Sequence, residues 1–199
     1  MAEIAPFRGI LYQPNSDGAA SSQSGDASDV SPLLAPPYDV ISESQRQGLA
    51  ARSPHNAVHL ILPKDAQGGE TDGRYTEAAR ALDGFLSAGV MRRDGRPALY
   101  RYHQIFTPPD APGTRVVRRG FICRIRLHRF AEGIILPHER TLAGPKADRL
   151  KLKRATKTHL SQVFGLYDDP TRAVDEAFAD VEKQPPELTG KTDDGVEHH

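Results

Sequence analysis

The pattern that most restricts this chain lies between residues 98 and 127. Two arms rich in apolar residues, Ala98–Thr107 and Thr114–Leu127, flank Pro108-Pro109-Asp110-Ala111-Pro112-Gly113, a run whose residues favour a turn. In the second arm Phe121, Cys123, Ile125 and Leu127 alternate with Ile122, Arg124, Arg126 and His128. A strand with this period has one apolar face and one mainly basic face, so a hairpin is expected. A second period stands upstream. Tyr75, Ala78, Ala79, Leu82, Phe85 and Leu86 recur at helical spacing, and Gly89 sits where such a helix would stop. The two periods together imply an α+β protein, a mixed sheet with flanking helices.

Ile4–Tyr12 reads as a first strand. Gln13–Val30, rich in Ser, Ala, Gly and Asp, reads as a flexible insertion. Pro36 and Pro37 keep Leu33–Ile41 out of a central ladder, and Tyr38-Asp39 reads as a rigid turn. Ser42 opens a short helix, with Gln45 at capping-box spacing. Asn56–Leu62 reads as a strand, followed by a polar loop at Lys64–Gly73. Gly133–Thr141 is expected to be a strand running into a loop, Gly144–Leu160 a helix, and Val163–Tyr167 a short strand. Asp169-Pro170 opens a last helix lined by Ala173, Val174, Ala177, Phe178 and Val181, and Pro185-Pro186 ends it. Gly190–His199 is polar.

A chain of 199 residues can bury a sizeable core. No run of 18 or more apolar residues occurs, so no membrane-spanning helix is expected. The N-terminus has neither a basic region nor an apolar one, which argues against secretion. Cys123 is the sole cysteine, which excludes an intrachain disulfide and suits a reducing compartment. A cytoplasmic protein is expected. With 26 basic and 26 acidic residues the whole chain is no nucleic-acid sponge. The charge is unevenly spread, however. Between residues 115 and 157 Arg and Lys far outnumber the acids Glu132, Glu139 and Asp148, a balance that favours an anionic ligand or makes a solvated basic face.

The densest chemistry lies within that region, in Leu136-Pro137-His138-Glu139-Arg140-Thr141-Leu142-Ala143-Gly144-Pro145-Lys146-Ala147-Asp148-Arg149. An imidazole, a carboxylate, a guanidinium and a hydroxyl follow one another at His138, Glu139, Arg140 and Thr141. Gly144-Pro145 then opens a helix, whose free N–H groups attract phosphate. Lys146 and Arg149 are three apart and share a helix face. Cations beside a carboxylate are what phosphoryl transfer needs, although exposed charges at a turn would look the same. Elsewhere the residues say less. His55 and His59 sit in the expected strand, too far apart for one metal. Neither a His-Glu-x-x-His, a paired-Cys nor a Walker A pattern occurs, and no metal site is expected. Cys123 reads as a core thiol, and His103 and His128 as polar strand residues.

Four stretches carry a family resemblance: Pro6-Phe7-Arg8-Gly9, Ala35-Pro36-Pro37-Tyr38-Asp39-Val40-Ile41, Leu136–Arg149 as quoted, and Phe164-Gly165-Leu166-Tyr167-Asp168-Asp169-Pro170. They span most of residues 1–184, and they resemble the N-terminal half of the domain of unknown function 1015 family. That family is similar to the free-serine kinases, whose fold is ParB/sulfiredoxin-like. The resemblance implies that fold in part. It also implies a phosphotransferase acting from ATP or ADP with Mg²⁺ on a small hydroxyl substrate such as free serine. Pro137-His138-Glu139 matches the Pro-His-Glu element of those kinases, so Glu139 inherits the role of catalytic base. His138, Arg140, Thr141, Lys146 and Arg149 are the expected substrate and phosphate contacts. An Asp-Gly-His-His-Arg box found in relatives is missing here. Residues 1–184 are therefore expected to be the N-terminal part of the family domain, with 185–199 the start of a missing segment. The alternative function is a non-catalytic, nucleotide-binding regulator of ParB-like type. Nucleic acid is not an expected partner, and the oligomeric state is left open.

Overall fold

The computed structural model describes residues 2–13, 28–64, 73–138 and 142–199. The expected flexible insertion therefore lies mostly outside the described residues, as does most of the polar loop before Gly73. The single strand expected over Ile4–Tyr12 is divided into β1 (Ile4–Ala5) and β2 (Ile10–Tyr12). Pro6, which has no N–H to give a ladder, sits at the break. Phe7 next to it exchanges backbone hydrogen bonds with Ala98, at 3.0 and 2.9 Å. Gly9 then passes close to Tyr100, where an added Cβ would lie 2.7 Å from the phenol ring. Short 3-10 turns at Ser31–Leu33 and Tyr38–Val40 lead to α1 (Glu43–Arg52), and the rigid turn expected at Tyr38-Asp39 is the second of them. Ser42 caps α1 as the spacing predicts. Its hydroxyl accepts the Gln45 N–H at 3.3 Å, and the Gln45 side chain accepts the Ser42 N–H at 2.8 Å.

At Asn56–Leu62 the structure overturns the expected strand: Val58–Ile61 form a helical turn, α2. Asn56 supplies the reason. It is fully buried, its side-chain oxygen accepts the Val58 N–H at 2.9 Å, and its amide donates to the Pro32 and Leu34 carbonyls, both at 2.8 Å. A short apolar run cannot by itself distinguish strand from helix, and these three bonds select the helix. His55 and His59 are engaged separately. The His55 ring meets Phe85 edge-on at 5.1 Å, and His59 Nε2 lies 3.3 Å from the Ser53 carbonyl.

Helix α3 (Gly73–Ser87) buries Tyr75, Ala78, Leu82 and Phe85, the face its periodicity predicts. Gly89, at φ +72°, takes the left-handed conformation that ends it. The chain returns as β3 (Met91–Arg93), antiparallel to β2. Leu60, Leu82, Phe85, Val90 and Met91 form the main core cluster, with Ile10 and Tyr12 packed against it. Burying one such side chain contributes roughly 1.5–3 kcal/mol. Short ladders like β2–β3 contribute less, so this cluster holds the N-terminal half together.

The expected hairpin forms from β4 (Tyr100–Phe106) and β5 (Val116–Ile122), in register from Tyr100↔Ile122 to Phe106↔Val116. One residue beyond β5, β6 (Arg124–Ile125) leaves that sheet and pairs with β1. The second arm thus ends at Ile122 and not at Leu127, and Ile125 and Leu127 are exposed where an apolar face was expected. Cys123 between the two strands is partly buried, and burial raises its thiol pKa. A 3-10 turn at Phe130–Glu132 follows, closed by Gly133 at φ +66°. His128, expected in a strand, lies instead in the irregular stretch before this turn, and its Nδ1 pairs with Glu132 at 2.9 Å. The strand expected over Gly133–Thr141 is absent from its described part, 133–138, because the left-handed Gly133 turns the backbone away from extended geometry.

Helix α4 (Ala143–Thr156) is shorter than the expected Gly144–Leu160, since Lys157 at φ +53° stops it. Its buried Leu152 packs against Tyr75 and Ala78 of α3. The expected strand at Val163–Tyr167 does not form. Phe164 rests on Arg118 and Tyr167 on Phe121, each at 5.6 Å. Contacts three residues apart do not fit the two-residue repeat of a pairing strand, so the segment lies over β5 without a ladder. Asp169 is not the N-cap expected for the last helix, which falls to Arg172, but its carboxylate still accepts the N–H groups of Ala173 and Val174 at 2.9 Å. That helix, α5 (Ala173–Phe178), starts later and stops earlier than expected, and Val181 falls in a separate 3-10 turn, Val181–Lys183.

Two short strands complete the sheet, β7 (Gly190–Lys191) and β8 (Glu197–His198), in the order β5-β4-β8-β7. The polar segment after residue 185 is thus built into the β4 sheet. Arg101 of β4 ties α5 and the turn after it to one face of that sheet. Its side chain is 8% exposed, and it pairs with Glu182 and with Asp175. The fold is mixed α+β, with antiparallel sheets and flanking helices. Among the described residues no helix is long and apolar enough to cross a membrane.

Candidate functional site

The segment singled out by its chemistry ends in α4, and α4 organises what can be described of the site. Leu142 stands at its N-cap without a side-chain cap, and Ala143–Lys146 form an exposed first turn. Leu152 and Thr156 turn inward toward α3, which leaves Lys146 and Lys153 exposed on one flank, with the partly buried Arg149 between them.

Arg149 is the best-anchored cation on this helix. Its guanidinium donates to the Ile61 carbonyl at 2.7 Å and to Asp148 at 2.9 Å, and it stacks over the Tyr38 ring at 3.9 Å. Asp148 in turn accepts hydrogen bonds from the Tyr75 hydroxyl and from Arg74, both at 2.7 Å. Burial raises the Asp148 pKa. The hydrogen bonds from Tyr75 and Arg149, with the charges of Arg149 and Arg74, outweigh that and hold the carboxyl below its ordinary value. The result is a fixed guanidinium whose charge is partly matched by its neighbour.

Of the residues expected to form the site, Lys146 and Arg149 lie one helical turn apart. Lys146 is exposed and has no ion-pair partner among the described residues. His138 is exposed at the end of an irregular stretch. Glu139, Arg140 and Thr141 lie outside the described residues. Tyr38, Tyr75, Arg74 and Asp148, which hold Arg149 in place, were not legible as a group. They come from three distant parts of the chain, and no local spacing links them. Lys153 was missed as well, although it continues the Lys146–Arg149 spacing by one more turn.

Beside Arg149 the surface is indented by a cavity of about 180 Å³, bounded by Arg149, Leu152, Lys153, Thr158, His159 and Ser161. The described residues hold no group of three or more His, Cys, Asp or Glu arranged to bind a metal ion.

Residues 4–199 match a family described as a protein of unknown function (DUF1015). No curated protein and no solved structure matches the chain.

Proposed function

The chain belongs to the DUF1015 family, and we propose that it carries part of a phosphoryl-transfer site, similar to that of the free-serine kinases and ParB-like in part of its fold. The observation that supports this reading is the placing of Lys146 and Arg149 one turn apart on α4, directly after the Pro137-His138-Glu139 element. In this reading Glu139 takes the proton of a small hydroxyl substrate such as serine while the substrate oxygen bonds to the terminal phosphorus of ATP or ADP, and the bond from that phosphorus to the bridging oxygen breaks to release ADP or AMP. His138, Arg140 and Thr141 contact the substrate, and Lys146 and Arg149 offset the phosphate charge. The cationic flank of α4 suits phosphates. It offers a metal ion little, because Asp148 is already held by Tyr75, Arg74 and Arg149. Mg²⁺ would therefore arrive with the nucleotide and neutralise its phosphates.

A second reading is a nucleotide-binding regulator of ParB-like type that performs no chemistry. The commitment of Arg149 to Asp148 and the Ile61 carbonyl favours it, because a guanidinium tied down in this way suits steady binding. One substitution separates the two. In the phosphotransferase, Glu139→Gln should lower phosphate transfer from labelled ATP or ADP to serine by about 10²–10⁴-fold and leave nucleotide binding intact. Transfer by the variant at the wild-type rate would end the assignment of Glu139 as base. Nucleotide binding without any product in the wild type would select the regulator.

A further inference from the structure

The helix mouth is only one end of the cationic flank. Farther along α4, the left-handed turn at Lys157 folds the chain back, so that His159 and Ser161 face Arg149 and Lys153 across the cavity of about 180 Å³. We propose that this cavity binds a compact oxyanion of the phosphate class and, resting on the phosphoryl-transfer reading, that it holds the phosphate end of the nucleotide.

Size argues first. Pockets that enclose a whole drug-sized ligand measure about 300–1,000 Å³, so this one admits a compact group and leaves a base and sugar outside. The donors are also available. Lys153, His159 and Ser161 have no side-chain hydrogen bond or ion pair among the described residues. Thr158 differs, because its hydroxyl donates to the Thr156 carbonyl at 3.0 Å and braces the turn. The walls are held by packing. Leu152 is 2% exposed, and Leu160 packs against both core clusters. Arg149 is fixed by its bonds to Asp148 and the Ile61 carbonyl.

Charge points the same way, against one opposing effect. The C-terminal end of a helix carries roughly half a negative charge, which repels an anion. Asp148 offsets part of the Arg149 charge, and the Lys153 ammonium has no ion pair among the described residues. The full charge of Lys153 outweighs half a negative one. The ordinary explanation of Lys153 is that it complements the helix dipole, as Arg154 does in the same last turn. Arg154 does not line the cavity, and that difference provides the test.

Orthophosphate and ATP serve as probes, with affinities for the chain measured by titration calorimetry. The wild type should bind orthophosphate. Lys153→Gln and His159→Gln should each weaken it by about tenfold, the loss of one charge-assisted hydrogen bond. Arg154→Gln, which removes the same charge, should leave it unchanged. Lys153 and His159 are exposed, so their substitution leaves the packing intact. ATP that competes with orthophosphate identifies a nucleotide as the source of the phosphate, whereas binding of orthophosphate alone identifies the free ion. Absence of orthophosphate binding, or an equal loss in Arg154→Gln, overturns the proposal. The two readings fail separately. Undiminished phosphate affinity in Lys153→Gln with transfer still running removes the pocket alone, and phosphate binding without transfer removes the kinase alone.

Discussion

Asp148 accepts hydrogen bonds from three side chains, and each comes from an element that must be in place for Arg149 to be held. With its side chain 24% exposed, the carboxylate is sheltered enough for those bonds to count. Asp148→Asn keeps the shape but removes the charge that pairs with Arg74 and Arg149. It should cost about 1–3 kcal/mol of stability, the penalty for leaving charged partners unsatisfied. Chemical denaturation would measure it, and an unchanged midpoint would show that the network is ornamental. The pH dependence has a defined sign. The folded pKa lies below the ordinary 3.8, so the stabilisation is complete above that value and is lost as pH falls through the folded one. The Asn variant should lack that acid limb. Asn56 makes the same point inside the core, where one fully buried amide satisfies two carbonyls and one N–H and so sets the course of two segments.

At the scale of elements, β4 is the strand on which the C-terminal half depends. It pairs with β5 on one side and β8 on the other, and its His103 faces Glu182 at 3.4 Å. Burial lowers the His103 pKa, and the nearby Arg101 and Arg119 charges add to that, against a smaller opposing pull from Glu182. His198 of β8, hydrogen-bonded to the Tyr102 hydroxyl at 2.7 Å, is lowered by burial and by His199, and Asp194 opposes this in part. Both imidazoles are therefore neutral in the fold at a pH where the unfolded chain binds protons. Stability is complete above the ordinary value of 6.5 and declines as pH falls below it. Melting temperatures measured from pH 7.5 to 5 should fall, and His103→Gln should flatten the slope. A melting temperature that holds or rises toward pH 5 would contradict this account.

For the whole molecule, the arrangement has two supports. The cluster around α3 holds the N-terminal strands and α2, and Leu160 links it to the α3–α4 contact. The β4 sheet is the other support, and residues 190–199 add two strands to it. His199 exchanges backbone hydrogen bonds with His103 at 2.8 and 3.0 Å, and β8 covers the edge of β4. Removing residues 190–199 should uncover that edge, lower the melting temperature and cause concentration-dependent association, because an open strand edge templates pairing with other chains. Light scattering across a dilution series would detect it. A monodisperse chain with an unchanged melt would show that the hairpin adds nothing.

What could be read from the residues alone was local and periodic. The α3 face, the β4–β5 hairpin, the Ser42–Gln45 cap and the cationic spacing of α4 all follow from neighbours within a few positions, where backbone geometry repeats. The family match agrees with the stretches that suggested it. Tertiary structure decided whatever depends on distant partners. Asn56 turned an expected strand into α2 through carbonyls at Pro32 and Leu34, and the left-handed Lys157 cut α4 short. Arg149 found Tyr38 and Ile61, and Val163–Tyr167 lay over β5 without pairing. A side chain's spacing determines which face it shares, but only the packed fold brings a carbonyl, ring or carboxylate from elsewhere within hydrogen-bonding reach.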